Sequence, residues 1–468
     1  MPVRGDHAIV LGGSVAGLPT ARVLSRYFDT VTIVERDPLP DRAEHRPGVP
    51  QSPHLHGLLY GGRLLFDEIY GDEAFTEAMR AVGGPYFDFG RHQAFRFPEG
   101  WIKRTSCDLM VVFATRWTME HVVRRLTQQV PNIHFVQGHV TGLLADTTGA
   151  RVTGVKARGE EGEWTLEADL VVDACGRGSR SPKWLEKLGF TPPEESVVRS
   201  FLGYATVYGY VPDDAWPGDI KSIAAPPFPG ATRGGFVVPQ ENGLVGIMAA
   251  GQSRDYPPGD EEGFTEFLRT AITPVMYDMW RQCEPVTEIE TTKTSQNRLR
   301  RWHELDRRPQ GFIPIGDAVA AFNPVYGQGM TSAVLQAKTL GDRLAENDDL
   351  DAVVTGFPED AVQASQFAWS AATDADLGFP VTEVENLAVS DKDPETISYL
   401  SDMRRAATFD GGVASAFFRA QATLNGGLLF QPQVMERVRT VLAEAGPDER
   451  DHERPPEWSE DAEPIALS

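Results

Sequence analysis

Short apolar runs alternate along the chain with glycine-rich turns and amphipathic stretches, an order that predicts an α/β protein. Residues 8–11 (AIVL) read as a buried parallel strand, Gly12-Gly13-Ser14-Val15-Ala16-Gly17 as a tight turn, and Leu18, Ala21 and Leu24 as one face of a helix. A second apolar run at 30–34 ends in Glu35 and closes a strand-helix-strand unit of dinucleotide-binding length. Residues 133–173 hold alternating runs such as 152–157, which predict a small antiparallel layer inserted into this first domain. Further on, residues 203–210, 234–238 and 244–250 are strand-like and separated by Pro-Gly loops, which predicts a mostly antiparallel sheet. Beyond Leu344 the pattern turns helical, with Phe367, Trp369, Phe417, Phe418, Leu428, Leu429 and Phe430 available to pack.

The chain has 468 residues, too many for one compact core, and an ordinary globular composition with 41% hydrophobic residues. Five segments are expected: a first part of a dinucleotide-binding domain at 1–190, a sheet domain for substrate at 191–295, the second part of the first domain at 296–345, a helical region at 346–443, and an acidic tail at 444–468. The tail is rich in acids and proline and poor in apolar residues, which predicts disorder. A net charge of −23 argues against a partner that is nucleic acid or an anionic membrane surface, and favours neutral or apolar small molecules. No apolar run approaches the roughly 20 residues of a membrane span. The three cysteines, Cys107, Cys175 and Cys283, stand far apart in no metal-ligand spacing, so a reducing, cytoplasmic setting is expected.

The glycine turn has a chemical rationale. Gly12 permits the sharp turn, a small residue at position 14 lets the backbone approach a pyrophosphate, and Gly17 lets the helix pack close to the sheet. The helix N-terminus offers free amides to phosphates, and Glu35 can accept hydrogen bonds from a ribose diol. The pattern departs from three glycines at Ser14, and strand, helix and the acid some 20 residues on supply the context. His54 and His56 follow Arg46 in a Pro-rich loop with no third ligand nearby, which argues against a metal site.

Two later segments stand in order behind the first. Residues 169–179 (DLVVDACGRGS) form a strand and turn, and residues 311–318 (GFIPIGDA) form a strand ending in Gly316-Asp317. Asn323-Pro324-Val325-Tyr326-Gly327-Gln328-Gly329-Met330 follows, and then a helix. Together with the glycine turn, these segments resemble the FAD-dependent monooxygenases related to para-hydroxybenzoate hydroxylase. RPGVPQ at 46–51 with His54 and His56, and GDAVAAFNPVYGQGM, look most like the flavin epoxidases of bacterial polyether biosynthesis.

The resemblance implies a discontinuous Rossmann-like FAD-binding domain, an inserted mostly antiparallel substrate sheet and a C-terminal helical region. It implies non-covalent FAD, held by Gly12, Ser14, Gly17, Glu35, Arg36, Arg46, Arg116 and Asp317, with Pro324, Gly327, Gly329 and Met330 beside the flavin ring. It further implies NADPH or NADH as reductant and O2 as oxidant, a flavin C4a-hydroperoxide, and transfer of one oxygen atom to an apolar small molecule, most naturally an alkene. No second strand, glycine turn and helix follows, so NADPH is expected to dock on the face of the FAD domain. Cys175 replaces the family's Asp, which leaves the docking mode open; as a thiol it reads as a packing residue. Three alternatives share this scaffold: an aromatic hydroxylase, a flavin-dependent double-bond reductase, and a non-enzymatic flavin-binding redox protein. A halogenase ranks low because its Trp-x-Trp-x-Ile-Pro signature is missing. Monomer and homodimer stay open.

Overall fold

The computed structural model describes residues 4–387, 393–445, 452–458 and 465. The chain begins with β1 (Gly5–Leu11), α1 (Gly17–Leu24) and β2 (Phe28–Glu35), and continues through α2 (Arg116–Gln128), β3 (Ile133–Gln137) and β4 (Leu170–Asp173). Four long strands follow: β5 (Glu195–Tyr210), β6 (Arg233–Pro239), β7 (Val245–Gly251) and β8 (Glu290–Arg300). It then returns through β9 (Phe312–Pro314), α3 (Gly329–Glu346) and α4 (Leu350–Leu377).

Five strands form a parallel sheet in the order β9-β4-β1-β2-β3. The central strands are buried on both faces, with Ala8, Ile9, Val10 and Leu11 fully enclosed, as a parallel sheet between helices requires, while the edge strand β3 is largely open. Leu18, Ala21 and Leu24 of α1 pack into the same core as Val334, Ala337 and Leu340 of α3. The expected two-part domain is therefore one sheet, since β9 lies beside β4 after a long excursion. The antiparallel layer of His139–Ala145, Val152–Gly159 and Gly162–Glu167 is inserted as predicted, but Ile133–Gln137 and Leu170–Asp173 at its ends belong to the parallel sheet.

The second large sheet is mostly antiparallel, with β5 between β8 and β7, and β6 beyond. It also recruits Gln93–Phe97 and Gly100–Trp101, which lie before residue 190 and pair through Ser222–Ala225. The pairing of β5 with β8 shifts register between Val198 and Tyr204, where Phe201 adopts φ +55°. Helices Pro394–Phe409, Gly411–Ala422 and Pro432–Glu444 close a separate apolar core with Phe97, Ile102 and Leu109.

Part of the tail departs from the expectation of disorder. Residues 452–458 lie on the sheet domain: the His452 carbonyl accepts from the Trp101 indole at 3.1 Å, the Glu453 carbonyl accepts from Thr273 at 2.7 Å, and Trp458 stacks on Arg91. Backbone carbonyls and an aromatic ring make these contacts, which acidic composition does not reveal. Residues 446–451, 459–464 and 466–468 lie outside the described residues.

Candidate cofactor site

The turn after β1 is built for close approach. Gly12 has φ +100°, and a Cβ there would meet the Ala174 carbonyl at 2.8 Å. At Gly17 a Cβ would lie 1.9 Å from the Gly12 carbonyl, so α1 can start against the turn only with glycine. Glu35, at the end of β2, accepts from the Gly13 amide at 2.7 Å and from the Asp37 amide at 3.1 Å.

Around this turn the fold gathers a charged cluster. Arg46 reaches Glu120 at 2.5 Å, Glu35 at 3.1 Å and Asp37 at 3.2 Å, and donates to the Gly13 carbonyl. Ser14 donates to Glu120 at 2.6 Å and accepts from Arg116 at 2.8 Å. Burial alone would lower the Arg46 pKa, but Glu120 and Glu35 outweigh it and hold the guanidinium protonated. Burial likewise works against the Glu120 charge, yet Arg116 and Arg46 keep its carboxyl below the usual range. Arg116 is less compensated: burial and then the like charge of Arg46 lower its pKa, opposed by Glu120. Its Nη1 is buried with no hydrogen-bond partner among the described residues and lies 3.5 Å from Glu120 Oε2. These residues fit a diphosphate.

Beside this turn lies Gly316-Asp317: a Cβ at Gly316 would come within 2.8 Å of Ala16 Cβ, and Gln336 accepts from the Gly316 amide at 2.8 Å. Burial pushes the Asp317 carboxyl up, against the pull of Arg177, Arg298 and Arg116. Arg177 stitches the middle segment to this one, donating to the carbonyls of Gln296 at 2.7 Å and Phe322 at 2.8 Å. The turn Pro324–Tyr326 ends at Gly327 with φ +65°, and α3 begins two residues later. The first-turn amides of α3 lack helical partners and carry the positive end of an 18-residue helix, so they can stabilise negative charge on a ring laid against Gly327 and Gly329. Met330 is half-buried against the core.

Facing this turn is an apolar wall. Leu202, Tyr204, Met248 and Ala250 of β5 and β7 form one cluster with Leu55, Phe236 and Val325, the last of these from the turn itself. His54 stands edge-on to Tyr204 with ring centroids 4.5 Å apart, and its Nδ1 lies 3.2 Å from Thr206 Oγ1. Burial, then nearby His45, pushes its pKa down to about 4, so it is neutral near pH 7. His56, 2.8 Å from the His54 carbonyl, is pushed down to about 3 by burial and then by Arg116.

A family model for the FAD binding domain matches residues 6–369. The chain belongs to that family. Protein Rv3254 of Mycobacterium tuberculosis is 33% identical over 342 residues, 71% of each chain. The fold is shared with the flavin-dependent brominase Bmp2 (TM-score 0.64, 13% identity, 95% of this chain and 99% of that one). It is also shared with p-nitrophenol 4-monooxygenase PnpA of Pseudomonas putida (TM-score 0.61, 18% identity, 91% and 99%).

For a member of the FAD binding domain family, the structure gathers Gly12, Ser14, Gly17, Glu35, Arg46 and Arg116 around the first turn, with Gly316-Asp317 beside it, and sets Pro324, Gly327 and Gly329 in the turn that leads into α3. Arg36 stays at the rim, exposed and paired with Asp37 at 3.4 Å. Cys175 is exposed and sets its sulfur 3.6 Å from the Leu11 carbonyl. Sequence reasoning missed Asp37 and Glu120, although Arg116-x-x-x-Glu120 is a helical i,i+4 pair and was a usable signal. It also missed Glu241, on the hairpin between β6 and β7, which accepts from Thr115 and Thr118 and so caps the helix carrying Arg116.

Proposed function

We propose that this protein is an FAD-dependent monooxygenase that takes electrons from NADPH or NADH and inserts one atom of O2 into an apolar small molecule, by epoxidation of an alkene. The observation that carries the reading is the apolar wall of Leu55, Leu202, Tyr204, Phe236 and Met248, which packs with Val325 of the turn. Reduced FAD, when bound, supplies the activation of O2. The chain's own contribution is to hold the diphosphate with Arg46, Arg116 and the amides after Gly12, to bind the ribose hydroxyls with Glu35 and the ribityl chain with Asp317, and to exclude water above the ring. An alkene brings its own nucleophilic electrons and needs no base. The balance is alkene, O2, NADPH and a proton giving epoxide, water and NADP+.

A second reading, aromatic hydroxylation, is favoured by His54. It is buried, neutral near pH 7 and in contact with Tyr204 of the wall, where its imidazole can accept a hydrogen bond from a phenol. Turnover under labelled oxygen, with an olefin and a phenol offered separately, divides the two. One labelled atom in an epoxide supports the first; hydroxylated phenol with untouched olefin replaces it with the second.

A further inference from the structure

Asp376, near the end of α4, is fully buried, and all the side chains that bond it are neutral. It accepts from Asn297 Nδ2 at 2.7 Å, Asn323 Nδ2 at 3.1 Å, Gln252 Nε2 at 3.1 Å, Tyr326 Oη at 2.8 Å and the Ser200 hydroxyl. A buried carboxylate without a cation is costly, and burial pushes its pKa up even against these donors. The return on that cost is directional. A carboxylate only accepts, so every amide that faces it must present its NH2 and turn its carbonyl away.

Two of those carbonyls then reach the backbone of one turn. Asn297 Oδ1 accepts from the Asn323 amide at 2.6 Å, and Asn323 Oδ1 accepts from the Val325 amide at 3.3 Å. Gln252 shows the same constraint: its Nε2 is held towards Asp376, although this leaves its buried Oε1 without a hydrogen-bond partner among the described residues. Four segments of chain, at Ser200, Gln252, Asn297 and the turn of Asn323 and Tyr326, thus converge on one charge, and that turn is the one beside the proposed flavin ring.

We propose that Asp376 is a positioning residue for the turn at residues 323–327: it imposes one polarity on Asn297 and Asn323, consumes two backbone amides of the turn, and anchors the Tyr326 side chain between the turn and the substrate sheet. Its importance for the cofactor rests on the flavin reading of that turn. Its effect on the turn does not.

The test is amide hydrogen exchange of the full chain with and without FAD, joined to the visible spectrum and midpoint potential of bound FAD. In Asp376→Asn the amides of Asn323 and Val325 exchange about tenfold faster or more, while those of β1 keep their wild-type rates, and bound FAD shows a shifted spectrum and potential. Asn297→Ala releases the Asn323 amide but leaves that of Val325 protected, a pattern that general loosening does not produce and that keeps the claim testable if Asp376→Asn fails to fold. Wild-type exchange at both amides in Asp376→Asn overturns the proposal. Faster exchange with an unchanged flavin spectrum and potential overturns its cofactor half. Wild-type protein that takes up no FAD breaks the flavin reading alone, and exchange in the unloaded protein still decides the role of Asp376 in the turn.

Discussion

The two ends of the cofactor cleft are organised by opposite means. Near Gly12 the fold crosslinks full charges: Arg46 and Arg116 against Glu35, Asp37 and Glu120, all nearly buried. Near Gly327 it uses neutral amides, a tyrosine and helix-end backbone around the buried carboxylate of Asp376. The difference follows from what each end would hold. A diphosphate keeps its charge throughout, so fixed cations suit it; a flavin ring gains and loses charge, and there partial charges from amides stabilise without locking one redox state.

The strongest way to break this comparison is Arg46→Ala. It strands Glu35, Asp37 and Glu120 in a buried site, so the variant is expected to lose about 3–5 kcal/mol in urea unfolding. A loss under about 1 kcal/mol would mean the cluster is no linked unit.

The ring side predicts a sensitivity to acid instead. With its folded pKa near 4 against about 6.5 unfolded, His54 is buried neutral while the unfolded chain takes up a proton. Stability is therefore full above pH 6.5 and falls as the pH drops towards 4, by about 3 kcal/mol from this residue at 1.36 kcal/mol per unit. His54→Phe keeps the stack on Tyr204 and should lack that share of the fall; equal losses in both proteins between pH 7.5 and 4 would refute the assignment.

Glu35→Ala and Asp317→Ala each remove hydrogen bonds to a charged acceptor, worth about 1.5–3 kcal/mol, so FAD affinity should drop about tenfold to a hundredfold. Titration of FAD fluorescence measures it, and unchanged affinity in either variant removes that residue from the site. The smallest effect belongs to Arg36→Ala: an exposed pair contributes about 0–1 kcal/mol, so FAD affinity should change less than about threefold. A larger change would place Arg36 in the cluster after all.

Local features were legible in the sequence because their causes are local. Gly12 and Gly17 announce a turn that only glycine can make, and residues 8–11 announce a strand buried on both faces. Glu120 was readable in principle from its helical spacing to Arg116. Asp376 was not: an acid in a long amphipathic helix looks like any solvated position, and its partners come from residues 200, 252, 297, 323 and 326, which only the tertiary fold brings together. The same holds for residues 452–458, whose carbonyls dock where composition signalled only charge.

The placement of β9 beside β4 has a consequence for synthesis. About 140 residues separate these two strands in the chain, so a ribosome adding roughly 5–20 residues each second leaves β4 as an open edge for on the order of 10 s before its neighbour emerges. During that interval an apolar strand, Leu170-Val171-Val172, presents unpaired backbone at the rim of a half-built sheet, the condition under which edges pair with other chains. Expression yield should thus depend on translation rate and on chaperones that shield that edge, more than on the stability of the finished molecule.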